Sequence, residues 1–136
     1  MKTVKAYLVD PERCTVREIE LPIEDKAARD EMRRLIGCEG MDFQMISDER
    51  DSVWVDEFGL TRGPCWAWKL HGMQAPFAGR GIIVGADEFG FAAPPTVPRQ
   101  WVERDAVWLG EIVPEVHWLE ESDGARTVVT YSRRRP

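Results

Sequence analysis

Cysteine and histidine are both scarce. The 136 residues hold Cys14, Cys38 and Cys65 and only His71 and His117. The cysteines are odd in number and far apart, there is no CxxC, and no His or Cys partner falls at zinc-finger spacing. That pattern excludes a disulfide framework and a structural zinc site and leaves reduced thiols as the expectation. Long apolar runs are missing too, and none approaches the roughly 20 residues that a membrane-spanning helix requires. Met1–Asp10 carries Lys2 and Lys5 and has only a short apolar stretch, without the core and cleavage site of a secretory signal. A cytoplasmic protein with no membrane partner is therefore expected. Basic residues are concentrated only in Arg133-Arg134-Arg135, which reads as a solubilising tail, so direct nucleic-acid binding is not expected.

The composition that remains suits one globular domain over residues 1–136, with 43% hydrophobic and 31% charged residues. Net charge is −6, and it is unevenly placed. Between Cys38 and Phe58 lie Glu39, Asp42, Asp48, Glu49, Asp51, Asp56 and Glu57 against the single Arg50. That stretch holds the whole excess, because the other seventeen acids and seventeen bases cancel. A face of this sign attracts a basic partner and repels nucleic acid.

Periodicity predicts a mainly antiparallel twisted sheet with one principal amphipathic helix on one face, an α+β architecture. Val4–Val9 and Cys14–Leu21 flank the turn residues Asp10-Pro11-Glu12-Arg13 and form an opening hairpin, with a slip in phase near Glu18. In Glu24–Ile36, Ala28, Met32, Leu35 and Ile36 make one apolar stripe, and Gly37 follows as a stop. Met41–Ile46 and Ser52–Val55 read as a second hairpin, whose turn and solvent edges make up most of the acidic stretch. Trp66-Ala67-Trp68 predicts a strand with both indoles on one face, and Gly79–Gly85 a strand buried on both faces. Residues 91–136 bring the loop Pro94–Pro98, a short helix Arg99–Arg104 and a C-terminal hairpin. There Ala106–Val113 and Val116–Leu119 read as separate strands broken by Pro114 and followed by Arg126–Tyr131.

Four segments carry a resemblance: Ala6-Tyr7-Leu8-Val9-Asp10-Pro11-Glu12, Leu35-Ile36-Gly37-Cys38, Val55-Asp56-Glu57-Phe58-Gly59-Leu60 and Gly81–Gly90. Over residues 4–90 the chain resembles a family of short phage-, plasmid- and bacteria-borne proteins known only as a domain of unknown function. The Trp-rich segment Cys65–Met73 and the hairpin after Glu111 depart from that pattern. The resemblance implies a compact domain that works by binding something else, and it brings no catalytic residue.

Candidate chemistry is thin. Cys65 and His71 are the one Cys/His pair close in sequence, and a thiol nucleophile needs its base within hydrogen-bond reach. Six extended residues span about 20 Å, so the pair meets only if Lys69–His71 turns back. His71 and His117 would make a metal site only by converging with Asp87, Glu88 or Asp105, and no HxH, HxxxH or HExxH spacing supports this. Asp56-Glu57 and Asp87-Glu88 read as turn acids. Gly79-Arg80-Gly81-Ile82-Ile83-Val84-Gly85 spaces its glycines GxGxxxG and opens a strand, so it predicts a bulge or a close backbone approach in place of a nucleotide loop. Arg80 is the residue best suited to an anionic ligand. Pro95-Thr96-Val97-Pro98 matches PxxP and reads as a rigid connector.

Six tryptophans are well above the usual share, and five of them, Trp66, Trp68, Trp101, Trp108 and Trp118, fall from residue 66 onward. Tryptophan anchors interfaces. The expectation is a non-enzymatic binding module that self-associates, as a homodimer, through a Trp-rich sheet surface around Trp66 and Trp68. A basic protein partner would be met on an acidic hairpin face of Asp48, Glu49 and Asp51. The competing expectation is a small cysteine-dependent enzyme or anionic-ligand-binding protein centred on Cys65, His71 and Arg80. Neither expectation involves a metal or a cofactor.

Overall fold

The structure, a computed structural model, describes residues 2–47 and 50–133. Two antiparallel sheets and two helices make up the α+β fold. The large sheet runs in the order β2 (Thr15–Pro22), β1 (Thr3–Asp10), β7 (Gly81–Ala86), β4 (Ser52–Asp56), β3 (Met41–Met45), with the two-residue β8 (Ala92–Ala93) also paired to β7. The small sheet has the order β10 (Gly124–Arg133), β9 (Ala106–Glu121), β5 (Cys65–Leu70), β6 (Phe77–Ala78). The mainly antiparallel α+β architecture is as expected, and its strands divide into two sheets whose inner faces share one core.

Alternation along β1 shows how the layers form. Tyr7 and Val9 point to the small sheet, where they join Val53, Ile83, Trp68, Leu70 and Phe77. Ala6 and Leu8 point the other way, into a second cluster with Leu21, Ile82, Val84 and Met32. Met32 belongs to α1 (Asp25–Ile36), which lies on that outer face of the large sheet. The β1–β2 pairing is unbroken from Thr3↔Pro22 to Asp10↔Thr15, so there is no slip near Glu18. What resembles one is β2 serving both layers, Val16 packing on the inter-sheet cluster and Ile19 on the helix side.

Local chemistry sets the limits of α1. The Glu24 carboxylate accepts from the Lys26 and Ala27 N–H groups, and Gly37, at φ 83°, ends the helix with its N–H on the Arg33 carbonyl. The second helix, α2 (Arg99–Asp105), buries Val102 in the inter-sheet cluster. Trp68 is the largest side chain buried outright, and its Cζ2 atom lies 2.6 Å from where a Cβ on Gly81 would stand. Gly81 is therefore a close approach of strand backbone to an indole, as the glycine spacing predicted.

Two departures from expectation lie in the small sheet. Between Ala67↔Gly110 and Trp68↔Trp108, β9 carries the extra residue Leu109, and Gly110 takes the left-handed φ of 70° that such a bulge needs. The bulge resets the phase, so that Leu109 and Ile112 are both buried. Pro114 does not break the strand. β5 stops pairing at Ile112, so beyond it one side of β9 is open and an imino acid that cannot donate is tolerated there. β9 and β10 accordingly run on together as a two-stranded arm from Val113 to the turn at Gly124.

Candidate functional site

Each side chain named from the sequence has a definite place. Cys65 opens β5 and His71 follows its last residue, so the strand holds them at opposite ends, about 20 Å apart by extended-chain geometry. The turn needed to bring them together is not there, and the His71 N–H is bonded to the Asp105 carbonyl at 2.8 Å. Burial also pushes the Cys65 thiol above its ordinary value, opposite to what an activated nucleophile requires. His117 lies on the arm, 3.0 Å from the Thr130 hydroxyl. Among the described residues no three His, Cys, Asp or Glu side chains converge to hold a metal ion.

Arg80 and Cys65 do share a cavity, of about 230 Å³, with Ile36, Asp56 and Arg62. Its cations are engaged. Arg80 donates to the Leu35 carbonyl at 3.2 Å, completing the end of α1, and sits 3.6 Å from the Asp10 carboxylate. Arg62 pairs with Asp56. The structural work of Arg80 is therefore to tie the helix end to the β1–β2 turn.

The acidic hairpin face needs revision. Asp48 and Glu49 lie outside the described residues. Asp51 is 0% exposed and does not belong to a surface. Its carboxylate accepts from the Thr96 N–H (2.9 Å), the Thr96 hydroxyl (2.7 Å) and the Val97 N–H (3.0 Å), clamping the Pro94–Pro98 loop. Tyr7 donates to the Val97 carbonyl from the other side at 2.9 Å. The main chain of the PxxP stretch is thus used internally, consistent with a connector.

The acidic surface that remains is a cleft of about 190 Å³ beside β3. Asp42 and Gln44 face it because β3 pairs Asp42↔Val55 and Gln44↔Val53, and Val53 points to the small sheet. The small sheet ends on β6, which lies against β4 and leaves β3 uncovered. Val55, Leu60 and Phe77 give the cleft an apolar lining, and Asp42 and Glu57 make its polar part acidic, while Asp56 at its wall is paired with Arg62. The opposite face of β3 carries Phe43, 53% exposed and stacked on Trp54 at 4.8 Å, with Arg29 over the indole at 5.4 Å. β3 is the last strand of its sheet, and its one outward guard is Asp42, whose carboxylate accepts from the Phe43 N–H at 2.9 Å. Composition pointed to this acidic stretch, but only the register and the short reach of β6 select Asp42 and Glu57 from it.

The tryptophans divide. Trp68 fills the core and donates its indole N–H to the Gly79 carbonyl at 3.0 Å, which removes it from any surface. Trp66, on the same strand, is 38% exposed, and Trp118, on the arm, 69%. No helix among the described residues is long and apolar enough to cross a membrane. No family model, curated protein or solved structure matches the chain.

Proposed function

We propose that the protein is a non-enzymatic binding module that takes a basic, extended partner segment along the β3 edge. The observation that carries this reading is the junction of an open strand edge with the acidic cleft. An unpaired edge offers main-chain hydrogen bonds to any extended chain, and flanking pockets and charges select which chain is accepted. Asp42 makes the selection. An incoming strand must displace its carboxylate from the Phe43 N–H, and a Lys or Arg on that strand offers the carboxylate a new partner. Glu57 adds to the same field, while the apolar lining accepts the stem of a long basic side chain. The separation of Cys65 from His71 speaks against the enzyme alternative.

The test is titration of an extended Lys- and Thr-rich peptide, followed by isothermal calorimetry. The expected result is binding that weakens as salt rises and at least about tenfold in Asp42→Lys, the size of losing one well-placed charge pair. Equal binding of an acidic peptide, or no effect of Asp42→Lys, would refute the reading.

A further inference from the structure

We infer that the segment seated on the β3 edge is β10 of a second copy of this chain, so that the protein assembles head to tail by sheet extension. The inference rests on the reading of that edge as a site for a basic extended segment. It starts from β10 itself, which ends the small sheet and has no strand on its outer side among the described residues. From Thr127 to Ser132 it reads Thr-Val-Val-Thr-Tyr-Ser, with no charge, glycine or proline. Such a composition on an open edge is a template for pairing, and no charge interrupts it between Arg126 and Arg133.

Charge then selects the partner. All ionised side chains of β10 are positive, Arg126 and Arg133, whereas β3 carries Asp42 and no base and lies beside Glu57. Pairing β3 with β3 would set Asp42 of one copy near Asp42 of the other, and pairing β10 with β10 would bring arginines together. Like charges across a strand pair are destabilising. Pairing β10 with β3 joins opposite signs. Arg126 is available for the exchange, because its present partner, Glu121 at 2.8 Å, is a surface contact with both side chains well exposed. The arm gains as well, since a two-stranded hairpin is marginal alone and a third strand supports it. Because the two edges differ, the contact is heterologous, and growth runs past a dimer wherever the rotation between copies does not close on itself.

Size-exclusion chromatography with light scattering, over rising protein concentration at low and high salt, tests the inference. The expected result is a mass that climbs past the dimer at low salt and falls to the monomer at high salt. Asp42→Lys and the double change Arg126→Glu with Arg133→Glu should each weaken assembly at least about tenfold, and a chain carrying all three reversals should regain it. A monomer at every concentration, or a dimer untouched by Asp42→Lys, overturns the inference. A synthetic peptide of residues 124–133, titrated onto the Arg126→Glu, Arg133→Glu variant, separates the two readings. If it binds while the unaltered chain stays monomeric, the edge reading stands and the second copy is excluded. If it does not bind, both fall.

Discussion

Asp51 shows most clearly what a residue can hide from a sequence reading. It stands in the one acidic stretch of the chain, where its neighbours are surface charges, yet it is the member that the fold encloses. Its donors, Thr96 and Val97, are 45 and 46 residues away, so no local signal marks it. A buried carboxylate is tolerated only when its oxygens are satisfied, and three donors achieve that here. Asp51→Ala takes the acceptor from two backbone N–H groups and a hydroxyl, of which those of the exposed Thr96 can turn to water, and should lower stability by about 2 kcal/mol. Urea unfolding measures it. A loss under about 1 kcal/mol would show that the Pro94–Pro98 loop does not depend on the clamp. Gly81 is the contrasting case. The spacing of Gly79, Gly81 and Gly85 asked for a close approach, and Gly81 provides one, because a glycine in a strand of Ile and Val is itself the signal.

Elements were legible where their determinants are local. The stripe and caps of α1 lie within its own residues, and the opening hairpin carries its own turn chemistry. β9 was misread as two strands because the position of Pro114 is harmless only where β5 no longer pairs, a fact about a distant strand. The arm that results differs physically from the rest of the small sheet. Val116, Trp118 and Leu119 are exposed on it, and only Tyr131 reaches back to pack against Ile112, Ala67 and Leu109. β7, by contrast, is buried in five of its six positions and paired on both sides. Amide exchange at low protein concentration should therefore find the arm opening at a cost within about 2 kcal/mol of zero, while β7 opens only with global unfolding. Equal protection of the two would mean that the arm is held by contacts the single chain does not contain, and a protection that grows with protein concentration would point to the second copy.

At the scale of the whole molecule, the number of sheets is the property least accessible from local pattern, since alternation says that a strand has two faces but not which strand lies beside it. The same Trp-rich segment that suggested a surface is what joins the two sheets. Trp68 lies between Gly81 and the strand pair β5–β6, tilted against Phe77 at 4.8 Å, with Tyr7, Val9, Val53 and Ile83 in the same cluster. A core built from both sheets makes each the other's cover, so neither buries its inner face alone. The two should then unfold in one step, with far-ultraviolet circular dichroism and tryptophan fluorescence tracing the same denaturant midpoint. Trp68→Ala removes the shared plug and its bond to Gly79, and should cost about 4 kcal/mol while keeping the transition single. Two separated transitions in the unaltered chain would mean that the sheets are independent units and that the cluster around Trp68 couples them only weakly.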